Sequence, residues 1–407
     1  MSKLLIDVGS TYFKTSANGV INHYFRNFDI PIYSDLKAKC SDDLNKFSKE
    51  DIVICSSANG GLSTLIIGIS ESFSLKYATN IAYNSGINII DTVLYRDIEN
   101  YAIPSETIDI VILVGGINSV QNIYGQKLLD YLSKINYDNI AYVGSSSSGK
   151  FIEDNIENIN MMGNIIDNKL HMVEDELKEY LTHLYNQDIM GKEDIKHLYE
   201  ITANQIYSTP YIVNQSLPYI NTILDNVDPF IVVDIGGATT DIHYSKELAD
   251  DNIVTTNEYD RLVFKKLGVY KSRESLVFSA KNNEFVYELL AYLNTTENEL
   301  DRTGEGNVKL LMSLAIFLVL YKVSHHHKSY LNLKLASMNS IVFTGGITKV
   351  LEDQEISDIV SFFYSKILTM DTIPEIVIDR DYAIWTLGIK NNSIIIPQEK
   401  QTTFYKS

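Results

Sequence analysis

Cysteine is nearly absent: the 407 residues contain only Cys40 and Cys55, with no C-x-x-C pair. Two thiols can build neither a disulfide framework nor a four-thiolate cluster within one chain. No apolar run has the length that spans a bilayer; the longest, Leu310–Tyr321 (LLMSLAIFLVLY), reads as a buried core helix. The chain opens MSKLLIDVGST, passing into a strand without a charged leader, apolar segment and cleavage site. A soluble cytoplasmic protein with no membrane partner is expected. Clustered basic residues are missing as well. With 34 Lys+Arg against 52 Asp+Glu, the net charge of -18 would repel a phosphate backbone over most of the surface, so no nucleic-acid partner is expected. A single nucleotide is a different matter, because backbone N–H groups and a metal bind it whatever the net charge.

What is present suits a globular α/β protein. Hydrophobic residues make up 45% and charged residues 21%, and the length suits two domains. Leu4–Val8, Ile231–Ile235 and Ser340–Phe343 are short apolar runs ending in glycine or small polar residues, each a buried strand entering a tight turn. The first two belong to a pseudo-repeat, LLIDVGSTYFKTS and IVVDIGGATTDIHYS, about half a chain apart. Each reads strand–turn–strand, as two related domains facing one another would require.

Between the repeats, strands are expected over Asp51–Ser57, Ile87–Tyr95, Ile108–Val114 and Ile140–Val143, with a helix over Leu75–Ser85. This alternation favours a parallel sheet, with Gly60-Gly61 and Gly115-Gly116 at carboxyl ends of strands. From Phe151 to about Asn226 the pattern turns helical, and Glu274–Leu293 and Val308–Val323 look helical too.

The chemistry sits in the repeat. In Asp7-Val8-Gly9-Ser10-Thr11, Gly9 lets the backbone turn beside a phosphate where a Cβ would obstruct it. Ser10 and Thr11 offer N–H groups and hydroxyls to phosphate oxygens, Lys14 adds positive charge, and Asp7 can hold Mg²⁺ through water. The second copy supplies Asp234, Gly236, Gly237, Ala238, Thr239, Thr240 and Asp241. Its glycines and threonines suit a loop clamping the same phosphates from the opposite side. Asp234 would orient the attacking water or the metal, with Asp7 as the other catalytic carboxylate and Asp241 as a further metal ligand. Thr344-Gly345-Gly346-Ile347 follows the third strand and would let a flat adenosine approach the backbone.

With those three loops in order, the chain resembles the actin/Hsp70/sugar-kinase superfamily. Asp381-Tyr382-Ala383 followed by Gly388 fits the small-residue tail that lets helices cross at the interdomain hinge. The segments SSANGGL (Ser56–Leu62), ILVGGI (Ile112–Ile117), a strand ending at Gly144, and VVDIGGATTDIH narrow the resemblance to the MutL/GlmL family associated with glutamate mutase, which is distinct from the DNA-repair MutL. Tyr259–Gly268 (YDRLVFKKLG) departs from the glycine-rich segment expected there. The resemblance implies two actin-like (ribonuclease H-like) domains flanking a nucleotide cleft. The first would cover residues 1–228, with an α/β insertion at about 51–150; the second would cover 229–407, its last helix at about 381–392 packing at the hinge. It also implies ATP and Mg²⁺ as ligands, slow hydrolysis, and a chaperone-like reactivation of an adenosylcobalamin-dependent mutase. The partner would be a mutase subunit, and a homo-oligomer is compatible with this class. A small-molecule kinase and a filament-forming actin relative remain alternatives, although no sugar-kinase pattern supplies a substrate base.

Three further signals are discounted. Gly144-Ser-Ser-Ser-Ser-Gly149-Lys150 satisfies G-x4-G-K, but Phe151 replaces the Ser/Thr that would ligate Mg²⁺, so a polar loop is expected. Asp241-Ile-His243 begins like a cobalamin-binding D-x-H-x-x-G, yet Lys246 replaces the glycine. His325-His326-His327 follows a helix, where consecutive side chains diverge and imidazolium is favoured by the dipole.

Overall fold

The computed structural model describes residues 3–57, 62–85, 87–104, 106–118, 121–191, 196–225, 228–249, 258–301, 305–325, 332–389 and 405–406. The chain is α/β and divides into two compact units. One comprises Met1–Asn59, His197–Asp250 and Tyr259–Ser407; the other comprises Gly60–Lys196 with Asp251–Glu258.

The first unit contains one sheet design twice. Strands β1 (Leu4–Val8), β2 (Tyr12–Ala17) and β3 (Val20–Phe25) form an antiparallel meander, and β4 (Ile52–Ser56) lies parallel to β1 on its other side. The unit that follows supplies β5 (Ser63–Gly68), β6 (Asn88–Leu94), β7 (Ile108–Val114), β8 (Tyr137–Val143) and β9 (Asn160–Met162). The chain then returns to the first sheet with β10 (Tyr207–Ser208), parallel to β4. The second sheet comprises β11 (Phe230–Ile235), β12 (Thr240–Ser245), β13 (Tyr259–Phe264), β14 (Ser340–Gly345), β15 (Glu375–Ile378) and β16 (Tyr405–Lys406). Its first five strands in spatial order, β13-β12-β11-β14-β15, repeat β3-β2-β1-β4-β10, antiparallel for three strands and parallel for the next two, and β16 adds an antiparallel edge to β15. These are the two actin-like sheets. The run at Asp51–Ser57, assigned from sequence to the insertion, therefore belongs beside β1. Its residues Ile52–Ser56 are all buried because sheet neighbours flank it on both edges.

Two cores cover the two faces of the second sheet. On one side, the helix Glu305–Ser324 is buried without interruption from Leu310 to Leu320, three turns that bury every face. By length and composition its Asn307–Ser324 window could cross a membrane, which corrects the expectation of too short a run. Its packing against Phe343, Ile359 and Phe363 makes it a core helix. The expected helix over Glu274–Leu293 is two, Arg273–Lys281 and Glu284–Tyr292. Asn283 separates them because its side chain accepts from Phe285 N–H and caps the second helix instead of continuing the first. The other core packs helices Thr209–Ile223 and Ile384–Ile389 against Leu5, Val53, Val232, Val342 and Val377.

The second unit holds a parallel sheet of order β6-β5-β7-β8-β9, with helices Lys76–Asn84, Gln126–Leu132 and Ser146–Asn155 in its connections. Gly115-Gly116 follows β7 at its carboxyl end, as expected; Gly60-Gly61 lies outside the described residues. The Gly144–Lys150 segment is not a loop. Ser145 caps a helix that has begun by Ser146, so no phosphate-wrapping turn forms. The stretch expected to be helical after Phe151 also contains β9 and β10, both too short to show a period.

Candidate nucleotide site

The two hairpin turns have the same backbone. Gly9 N–H donates to Tyr12 O at 2.9 Å, and Gly236 N–H donates to Thr239 O at 2.9 Å. The turns also meet: a Cβ built on Gly237 would lie 2.2 Å from Thr11 Oγ1 and 3.4 Å from Ser10 Oγ. Gly9, Ser10, Thr11, Gly236, Gly237 and Ala238 are thus brought together. Thr239 and Thr240 are adjacent but engaged elsewhere, donating to Asp241 Oδ2 at 3.0 Å and Leu267 O at 2.9 Å.

Beneath the turns lie the charges. Asp7 is fully buried; Lys14 Nζ donates to its Oδ2 at 2.6 Å, and Thr209 Oγ1 to its Oδ1 at 2.6 Å. Cys55 Sγ lies 3.6 Å from the same Oδ1, and burial together with Asp7 raises its thiol far above the usual value. Asp241 is held by Arg261, whose Nε and Nη2 donate to Oδ1 at 2.9 and 2.5 Å. Among the described residues no side chain hydrogen-bonds Asp234. Burial pushes its pKa up to about 7; Lys14 opposes this, while Asp241 and Asp7 reinforce it.

The expected adenosine turn lies one strand over, because β14 pairs in parallel with β11 and aligns Thr344 with Asp234 and Gly345 with Ile235. Gly345 has φ 92°, and a Cβ there would fall 2.5 Å from Ile235 O and 2.6 Å from Asp234 Oδ1. Only glycine fits. Gly346 and Ile347 open a short 3₁₀ turn, whereas the Thr344 hydroxyl turns away to donate to Asp379 Oδ2 at 2.9 Å.

Several groups around the site escaped sequence reasoning. Arg26 at the end of β3 donates to Gly9 O and Ser10 O, both at 3.3 Å. Tyr270 and Lys271 N–H groups donate to Gly237 O at 2.9 and 2.7 Å, strapping the second turn. Tyr382, first noted only as part of the tail, has its ring 3.7 Å from Lys14 Nζ. Arg261 had a usable signal, since charged residues within a strand that otherwise carries only Tyr, Leu, Val and Phe imply buried partners. Thr209 had none.

Of the discounted signals, His243 is fully buried with Nδ1 3.1 Å from Asn214 Oδ1. His325 stacks on Tyr321 at 4.9 Å, and His326 and His327 lie outside the described residues. No cluster of three or more His, Cys, Asp or Glu suited to a metal occurs among the described residues.

The duplicated sheets and paired turns define a protein of the actin-like fold class. Within that class its sequence matches the MutL protein family over residues 3–392, and the chain belongs to that family. Protein MutL of Clostridium tetanomorphum is 25% identical over 267 residues, covering 59% of this chain and 57% of that protein. The match thus spans little more than half of the relative. Among solved structures, a nucleotide-free acetone carboxylase is 12% identical, covering 95% of this chain and 70% of that one with a TM-score of 0.38. Component A of (R)-2-hydroxyglutaryl-CoA dehydratase from Acidaminococcus fermentans is 11% identical, covering 95% of both chains with a TM-score of 0.32.

Proposed function

We propose that this chain binds ATP with Mg²⁺ between the two hairpin turns, hydrolyses it slowly, and uses the cycle to act on a partner protein. The observation that carries this reading is the matched pair of turns, each closed by one 2.9 Å hydrogen bond and touching at Gly237 and Thr11. With the Gly9 and Gly236 N–H groups closing the turns, the backbone N–H groups of Ser10, Thr11, Gly237 and Ala238 then approach the phosphates from two sides, with Lys14 as the nearby cation. Gly345, Gly346 and Ile347 take the adenosine.

Asp234 fits a metal best among the carboxylates named from sequence, because Lys14 and Thr209 hold Asp7 while Arg261 holds Asp241. Bound Mg²⁺ would neutralise phosphate charge and order water in its shell. Asp234 holds that shell or the attacking water, and a cation beside it would return its carboxyl to the ionised state.

The partner is an adenosylcobalamin-dependent mutase subunit, and the action is reactivation of the glutamate mutase type. Family membership supports this step. Two measurements test the reading. Purified protein should hydrolyse ATP slowly, and Asp234→Ala should abolish the activity. A pull-down should capture a cobalamin mutase subunit in a manner that differs between ATP and ADP. Transfer of the terminal phosphate to a metabolite in preference to water would replace this reading with that of a kinase.

A further inference from the structure

Tyr382 is built into the charge cluster in an unusual way. Its φ is 61°, a left-handed conformation that a non-glycine residue adopts only against steric opposition from its own Cβ. Its ring lies under the Lys14 ammonium, 3.7 Å from Nζ to centroid, and meets His23 edge-on at 5.8 Å. The same ammonium is 2.6 Å from Asp7 Oδ2, so ring and carboxylate hold Lys14 between them.

Both sides of that contact lead to the same pair of helices. Asp7 accepts from Thr209 at 2.6 Å, and Thr209 opens the helix Thr209–Ile223. Tyr382 immediately precedes Ala383 and Ile384, whose N–H groups donate to Asp379 at 2.8 and 3.0 Å and open the helix Ile384–Ile389. The two helices cross so closely that a Cβ on Gly388 would fall 1.9 Å from Ile212 O. Asp7, Thr209, the helix crossing, Tyr382 and Lys14 therefore form a closed circuit.

We infer that Tyr382 is a positioning residue that couples occupancy of the phosphate site to the hinge helices. This rests on the nucleotide reading above. Lys14 is shared between Asp7 and the ring, so a polyphosphate between the turns competes for it. When Lys14 shifts toward phosphate, the ring loses its cation and the strained residue relaxes. The helix that follows then moves against Ile212.

Trp385, the sole tryptophan, sits on that helix, 2% exposed. Calorimetry with Mg²⁺ and the non-hydrolysable analogue AMPPNP measures binding, while Trp385 emission reports the helix. Wild type and Tyr382→Phe should show an emission change that tracks saturation. Tyr382→Gly accommodates the left-handed backbone; it should bind at least as tightly but lose that change. Tyr382→Asn, which tolerates the same backbone, repeats the test if the glycine variant does not fold. Wild-type binding without an emission change, or a Tyr382→Gly response like wild type, overturns the coupling. Weaker binding by a folded Tyr382→Gly also overturns it, since Tyr382 would then serve only to shape the site. Absence of wild-type binding by calorimetry is a distinct result: the nucleotide reading fails, and this inference with it.

Discussion

Lys14 and Asp241 occupy the same position in the two hairpins: Lys14 stands directly opposite Asp7, and Asp241 directly opposite Asp234. The backbone is duplicated but the charge is not. In the first hairpin the facing residues are oppositely charged and close to 2.6 Å. In the second they are both carboxylates, and Arg261 resolves the conflict by taking Asp241. Asp234 is left with neither an ion pair nor a side-chain hydrogen bond among the described residues, which makes it the group able to accept an incoming cation or water.

That asymmetry has a measurable pH signature. Burial raises Asp234 from 3.8 to about 7, so over this interval the folded chain holds a proton that the unfolded chain has released. Its contribution to stability therefore falls as pH rises through that window and levels off above it. Asp234→Asn stays uncharged, so its stability relative to wild type should rise over the same interval, by on the order of 3 kcal/mol between pH 5 and pH 8. Urea melts at pH 5 and pH 8, with EDTA present, check this; a difference that does not change with pH would contradict it.

Arg261→Met should be far more damaging than its distance from the turns suggests. The substitution leaves Asp241 buried with the Thr239 hydroxyl but without its cation. Removing one partner of a buried pair costs about 3–5 kcal/mol, while replacing both by uncharged groups is often nearly neutral. The double variant Asp241→Asn/Arg261→Met should recover much of the loss in guanidinium denaturation at pH 7. If single and double variants are equally destabilised, the pair is not what holds β12 to β13.

Gly345→Ala tests the close approach of β14's end to β11. The new methyl meets backbone and carboxylate, neither of which is the free end of a flexible side chain. Backbone strain alone costs about 1–3 kcal/mol at such a position. Gly237→Ala is the useful contrast, since there the nearest atom is the rotatable Thr11 hydroxyl at 2.2 Å. Thermal melts should show a clear loss for Gly345→Ala and little change for Gly237→Ala. Comparable losses would contradict the assignment.

The central strands were legible because their patterns are local. β1 and β7 match their expected limits, since each is a short run, apolar but for one aspartate, ending at a glycine turn or in Gly-Gly. The repeat also carried the turn geometry, because glycine and hydroxyl spacing encode it within a few residues. What was not legible depends on distant pairing. Thr209 reaches Asp7 across 202 positions, and nothing near Thr209 marks it as part of a phosphate site. Tyr382 looks like one aromatic residue among 27 tyrosines until its left-handed backbone and the ammonium above it are seen. Strands of two residues, such as β10 and β16, have no period to read.

Phe28 and Tyr270 stack at 5.5 Å with 21° between their planes, and both are substantially exposed. Exposure argues against a purely structural reason for the pair, since neither ring is needed to fill a core. Their attachments differ. Arg26 lies over Phe28 at 5.5 Å while donating to the carbonyls of the first turn. Tyr270 donates its own N–H to Gly237 of the second turn. The stack therefore ties the two turns together from outside, and its energy should be felt wherever their spacing matters. A double-mutant cycle with Phe28→Ala and Tyr270→Ala should give a coupling of about 0.5–1.5 kcal/mol in stability. Loss of either ring should also speed release of AMPPNP, because the turns can then separate more readily. A coupling energy near zero, with release unchanged in both single variants, would show that the two rings touch without linking the turns.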